Sequence, residues 1–166
     1  MIFEAFRKFR EETPDAPAFL VASGDRSVPI SWRQFTDDIA AVVWAIGRYC
    51  PGATIGILGE NSYQWIVAHA ACLLSGSIAV PLDVNLTADE ICERLDFVGA
   101  KTIAHSSLYG EKALEVSRRM PDVLRVGFSS LAADIFMQGD HADEAFSLWS
   151  GSGPARTLAD GSPIRE

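Results

Sequence analysis

The chain has only three cysteines and three histidines in 166 residues. Cys50, Cys72 and Cys92 show no Cys-x-x-Cys pair and no spacing that could combine with histidine into a zinc site. Their odd number points to reduced thiols and a cytoplasmic setting. Positive charge is also scarce: 14 Lys and Arg stand against 22 Asp and Glu, a net charge of −8. Nucleic-acid binding rests on basic surface, and anionic membranes repel such a chain, so the charge argues against both partners. Long apolar runs are missing. The longest, Trp65 to Leu74, is interrupted by His69 and is too short to span a bilayer. The opening MIFEAFRKFREE is broken by Glu4, Arg7 and Lys8 and does not read as a secretion leader. There is no G-x-G-x-x-G fingerprint, no nucleophile elbow and no internal repeat.

What is present is the material of a globular domain. The apolar fraction is 48% beside 22% charged residues, and the length is enough to bury a core. Ile2, Phe3, Phe6 and Phe9 recur at helical spacing and predict a short amphipathic helix, ended by Thr13-Pro14-Asp15-Ala16-Pro17. Ala18–Ala22 and Val28–Ile30 flank Ser23-Gly24-Asp25-Arg26-Ser27 and predict a β-hairpin. Ser31 to Arg48 is the clearest helix. Ser31 and Gln34 form a capping-box pattern, and Trp32, Phe35, Ile39, Val42, Val43 and Ile46 share one face. Pro51-Gly52 closes it.

Four short apolar runs follow, at Thr54–Leu58, Ile78–Leu82, Lys101–Ala104 and Leu124–Phe128. Helical stretches separate them, the pattern of a parallel sheet covered on both sides. Asn61 or Ser62 can cap the first intervening helix, through Leu74. Thr87 with Glu90 forms a capping box ahead of Ile91, Leu95 and Val98. Gly76 and Gly99 stand where helix C-caps are expected, and a last helix over Glu111–Met120 stops before Pro121. From Ala132 to Glu166 acidic residues outnumber basic ones and periodicity fades. Asp143–Trp149 could form a short helix, and the remainder reads as an acidic, Gly/Ser-containing tail or linker.

Candidate chemistry is sparse. Ligands of parallel sheets bind beyond the carboxyl ends of the strands, which directs attention to Gly59-Glu60-Asn61 and Asp83-Val84-Asn85. Glu60 and Asp83 read either as paired carboxylates or, with Asn61, Ser62 and Asn85, as turn and cap chemistry. His69, between Ala68 and Ala70, reads as a partly buried histidine of a helix rather than a catalyst. Cys72 reads as a small buried hydrophobe, Trp32 as a core residue, and Arg118-Arg119 as too small a basic cluster for nucleic acid. Ser150-Gly151-Ser152-Gly153-Pro154, followed by Ala155-Arg156, reads as a flexible linker or as a faint phosphate loop, in which successive N–H groups would converge on an anion.

The order of several short segments over Pro14–Phe128 resembles the adenylate-forming (AMP-binding) acyl-CoA synthetases. Those segments are Pro14-Asp15-Ala16-Pro17-Ala18, Ser31-Trp32-Arg33-Gln34-Phe35, Ile57-Leu58-Gly59-Glu60-Asn61, Gly76-Ser77-Ile78-Ala79-Val80-Pro81-Leu82-Asp83, Thr87-Ala88-Asp89-Glu90 and Gly99-Ala100-Lys101. Gly59-Glu60-Asn61, followed by Tyr63 and Trp65, is similar to bacterial long-chain fatty-acid–CoA ligases. Val80-Pro81-Leu82-Asp83 also occurs in peptide-synthetase adenylation domains. Ala53 departs from the pattern, where Asp is common. The resemblance implies ATP, Mg and coenzyme A for the full-length parent enzyme, with a fatty acid activated as an acyl-adenylate and passed to a thiol. The family's phosphate loop, adenine motif, ribose-binding Asp and C-terminal Lys lie downstream of the matching segment. No catalytic, cofactor-binding or metal-binding residue is therefore carried over, and no cofactor is assigned to the segment itself.

The expected fold class is α/β: a β-hairpin and helix leading into a mostly parallel sheet with helices on both faces. The expected domains are an N-terminal subdomain over 1–131 and the tail over 132–166. The expected function is the truncated N-terminal part of a long-chain fatty-acid–CoA ligase, inactive by itself, partnered by the rest of that enzyme and able to form a homo-oligomer. The alternatives are a free-standing, non-catalytic α/β binding or assembly module, or the start of a peptide-synthetase adenylation domain.

Overall fold

The computed structural model describes residues 2–23 and 25–128. Helix α1 (Ile2–Glu12) forms on the expected phenylalanine spacing. Phe3 and Phe6 pack into the larger apolar cluster, and Phe9 stacks on Trp32 with ring centroids 4.6 Å apart. Strands β1 (Pro17–Ser23) and β2 (Arg26–Ser31) pair antiparallel as a separate hairpin. They run further into the turn than the sequence suggested, because Ser23 pairs directly with Arg26.

Helix α2 (Trp32–Tyr49) starts where the Ser31 hydroxyl accepts from the Gln34 N–H at 3.2 Å. The Trp32 and Arg33 N–H groups donate to the Ala16 and Pro14 carbonyls. The proline segment thus meets donors that a helix start leaves open. Phe35, Ile39, Val42 and Ile46 are buried as expected, with Trp32 and Val43 half-buried at the margin of that face. Arg10 fixes α1 to α2. Its guanidinium donates to the Thr36 hydroxyl at 2.6 Å and the Arg33 carbonyl at 3.1 Å, and pairs with Asp37 at 2.6 Å.

The remaining elements alternate: β3 (Thr54–Leu58), α3 (Tyr63–Leu74), β4 (Ile78–Leu82), α4 (Ala88–Phe97), β5 (Thr102–His105), α5 (Gly110–Arg119) and β6 (Leu124–Gly127). Strand β5 begins and ends one residue later than the sequence reading placed it, and β6 stops short of Phe128. A 3-10 turn at Ser107–Tyr109, unforeseen in the sequence, leads into α5. Of the two residues able to cap α3, Ser62 does so, its hydroxyl accepting from the Trp65 N–H. At Thr87 and Glu90 both bonds of the capping box are made. Gly76 (φ 74°) and Gly99 (φ 65°) take the left-handed conformation just past α3 and α4, which a side chain would strain.

The sheet is parallel throughout, in the order β4-β3-β5-β6. On one face α2 and α3 pack over Ile55, Ile57 and Ala104. On the other, α4 and α5 pack over Leu58 and Ile103. The α/β class with helices on both faces is what the structure has.

Candidate functional site

The strand order reverses at β3. The chain steps outward from β3 to β4, returns across β3 to β5, and continues to β6. The connection leaving β3 runs to α3 on one face, and that leaving β5 runs to α5 on the other. Such a reversal opens a crevice at the carboxyl ends of the strands, where ligands of open α/β sheets bind. Here its walls are Gly59 and Glu60 after β3, His105 and Ser106 at the end of β5, and Phe128 after β6.

The crevice is laced across. The buried Ser106 hydroxyl donates to Glu60 Oε2 at 2.6 Å, joining the two central loops, and the Ser106 N–H donates to the Leu58 carbonyl. His105 is also buried, with Nδ1 at 2.8 Å from the Ser106 carbonyl. A carbonyl only accepts, so Nδ1 carries the proton. Nε2 is then free to accept from Arg125 Nη1 at 3.2 Å. At Gly59 a Cβ would fall 2.8 Å from the Phe128 ring and 3.3 Å from Ser106 Cβ. That close approach is why glycine stands there.

Helix α3 is tied down beside this loop. The Tyr63 hydroxyl donates to Asp38 Oδ2 at 2.6 Å, linking the start of α3 to α2. Burial pushes the Asp38 carboxyl above its ordinary range, against the lowering effect of the Tyr63 bond, with nearby Asp37 adding to the rise. The Tyr63 hydroxyl is pushed up by burial and by Asp38. Because the folded value of Asp38 lies above the unfolded one, its proton favours the fold. That contribution is present at low pH and is lost as pH rises from the ordinary carboxylate value through the raised one. Asp38→Asn keeps an acceptor for Tyr63 without a charge. Its melting temperature, measured against the parent chain from acid to neutral pH, should gain on the parent as pH rises. A difference independent of pH would remove Asp38 as the cause.

Of the residues the sequence singled out, only Gly59 and Glu60 reach the crevice wall. Asp83 lies after β4, on the far side of β3 from the reversal. There it accepts from the Asn85 N–H at 2.9 Å and from Asn85 Nδ2 at 3.0 Å. No described bond joins Asp83 to Glu60. Asp83 thus serves turn chemistry, and Glu60 makes a bond across to the loop after β5. His69 is half-buried on α3 and stacks on Trp65 with centroids 5.1 Å apart, the structural role expected. Cys72 is buried and its thiol is pushed up to about 12, mainly by burial, which makes it inert. Arg119 pairs with Asp89 at 3.0 Å and Glu115 at 2.7 Å. An open groove of about 620 Å³ lies there, between the start of α4 and α5. Its Lys112 is engaged by the Val84 and Leu86 carbonyls, at 2.6 and 2.8 Å. Sequence reasoning missed His105, Ser106 and Arg125. The available signal was a polar His-Ser pair closing an otherwise apolar run. Asp143–Trp149, Ser150–Pro154 and the boundary at 131/132 lie outside the described residues.

The crevice does not suit a nucleotide polyphosphate. Glu60 places a carboxylate at the rim, and Arg125 is turned onto His105. Among the described residues no group of three or more His, Cys, Asp or Glu could hold a metal ion. None of their helices is long and apolar enough to cross a membrane.

Comparison with known proteins decides the family. The family model described as AMP-binding enzyme matches residues 6–147. The chain belongs to the AMP-binding enzymes. A D-alanine–D-alanyl carrier protein ligase of Bacillus cytotoxicus is 27% identical over 104 residues, 61% of this chain and 20% of its own length. The N-terminal domain of FACL13 from Mycobacterium tuberculosis shares the fold with a TM-score of 0.66 at 20% identity, over 81% of this chain and 35% of that one. The O-succinylbenzoate coenzyme A synthetase MenE of Bacillus subtilis, solved with ATP and a magnesium ion, gives 0.60 at 22% identity, over 76% and 33%. At these identities the structural likeness shows the fold alone. The chain thus spans about a fifth of the length of its first curated relative. The curated relatives include both a carrier-protein ligase and a coenzyme A ligase.

Proposed function

We propose that residues 1–131 are the N-terminal subdomain of an ATP-dependent adenylate-forming ligase, with 132–166 as a linker to further polypeptide. The observation that carries the ligase assignment is the family match over residues 6–147 on a parallel sheet with a switch-point crevice. In that enzyme a carboxylate attacks ATP to give an acyl-adenylate and pyrophosphate, and a thiol then takes the acyl group with release of AMP. A long-chain fatty acid as substrate, coenzyme A as acceptor and a cytoplasmic location complete the proposal. They are supported by the Gly59-Glu60-Asn61 segment, the acidic charge and the three thiols.

The role of the described residues is scaffolding. Stabilising a transferring adenylyl group needs positioned cations and N–H donors. The crevice instead presents a carboxylate, and its cation is engaged. ATP and magnesium would be held by polypeptide outside residues 2–128. The expected result is that the 166-residue chain alone gives no ATP–pyrophosphate exchange above a no-enzyme blank with any of a panel of fatty and amino acids. Exchange abolished by substituting Ser150 to Gly153 would overturn this and make that segment a working phosphate loop. In the coding sequence beyond Glu166, an open frame with a Ser/Thr/Gly-rich loop supports the subdomain reading; a stop codon supports a free-standing module.

A further inference from the structure

The two edges of the sheet differ in a way that only the hydrogen-bond register exposes. In β4 the Ile78 N–H donates inward to the Ala53 carbonyl. Alternation along a strand then turns Ala79 and Pro81 outward. Pro81 has no N–H, so this edge is blunted, as natural edge strands commonly are. In β6 the Leu124 N–H donates inward to the Lys101 carbonyl. Arg125 and Gly127 therefore face outward, each with both an N–H and a carbonyl. Among the described residues β6 pairs only with β5. Its one charge does not guard the edge, because Arg125 is held on His105. The residues flanking the strand, Val123 and Phe128, are buried as in an interior strand, while Leu124 is 45% exposed.

We infer that the outer edge of β6 is a self-association surface, filled by β6 of a second copy in antiparallel pairing about a two-fold axis at Val126. That register sets Arg125 opposite Gly127 of the other copy, and Gly127 opposite Arg125. Each pair exchanges both N–H···O bonds, so every outward donor and acceptor of the strand is met. It keeps the two arginines off one another, where like charges directly opposite destabilise. Leu124 then faces Phe128 of the other copy, and Val126 faces its own equivalent, on the apolar side of the strand. An axis at Arg125 would oppose the arginines, and one at Gly127 would leave β6 pairing with residues beyond it. The strand is thus self-complementary in one register, the requirement of an isologous contact.

Sedimentation of the full chain over a wide concentration range tests this. The weight-average mass should rise from the 18.0 kDa monomer toward twice that value. Arg125→Pro removes an outward N–H while leaving the bonds to β5, which come from Leu124 and Val126, and should hold the chain monomeric. Arg125→Leu loses the His105 contact but keeps the N–H, and should associate like the parent. In the parent chain, amide exchange at Arg125 and Gly127 should slow with concentration while Ala79 stays fast. This readout does not depend on a variant folding. A strict monomer, association unaffected by Arg125→Pro, or loss of association in Arg125→Leu would each overturn the inference. So would protection of Arg125 and Gly127 in the dilute monomer, which would show that polypeptide beyond Phe128 covers the edge.

Discussion

Phe35→Ala is expected to cost about 4 kcal/mol, in the range for removing a buried aromatic ring. Phe35 is 1% exposed and sits where four elements meet. Its ring lies 5.3 Å from Phe6 of α1, 4.7 Å from Phe19 of β1 and 6.1 Å from Tyr63 of α3, with Trp32 beside it on α2. Most of these contacts are edge-on or tilted, the favourable arrangement for aromatic pairs. Truncation leaves a cavity whose walls belong to different elements, so it cannot collapse by moving one side chain. A loss of this size is a large part of the roughly 5–15 kcal/mol stability of a typical domain. Urea unfolding followed by tryptophan fluorescence should show a much lower midpoint. Amide exchange should accelerate first in α1 and the hairpin, which reach the sheet through this cluster. A change under about 1 kcal/mol would show that the cluster repacks, contrary to the close packing of protein interiors.

Gly56→Val is the second large effect, at about 3 kcal/mol. Gly56 lies in the middle of β3, where glycine ordinarily weakens a strand, and a β-branched residue should improve local propensity. Packing opposes this. A Cβ on Gly56 would fall 2.6 Å from Leu95 Cδ2 and 3.0 Å from Leu82 Cδ1. Leu95 is fully buried and Leu82 nearly so, which leaves neither free to swing away. Valine adds two methyl groups to that clash and would push α4 from the sheet. Gly56→Ala should cost less, since it brings the Cβ alone into that contact without the two further methyl groups. Denaturant midpoints of the two variants should rank parent, alanine, valine in falling order. A valine variant as stable as the parent would mean that α4 is not held where Leu95 places it.

Most of the secondary structure was legible because it rests on local chemistry. The phenylalanine spacing of α1, the apolar stripe of α2 and the Thr87–Glu90 capping box each act within a few residues. Gly76 and Gly99 likewise mark helix ends by a conformation that side chains resist. The boundaries of β5 and β6 slipped by a residue because apolar runs do not record where pairing stops. Only the register with β3 and β5 sets that limit.

The sequence alone therefore determined the α/β class, the hairpin, the alternation of strands and helices and the family resemblance. These follow from periodicity, caps and turn residues, whose interactions are short-ranged. The tertiary structure decided the strand order, and with it the site. Asp83 and Ser106 both follow parallel strands flanking β3, and nothing local tells them apart. The return of the chain across β3 puts Ser106 against Glu60 and leaves Asp83 with Asn85. The same long-range pairing turned Pro81 outward on one edge and Arg125 and Gly127 outward on the other. Which way a backbone N–H points in a sheet is fixed by its partner strand, and no single run of residues contains that partner.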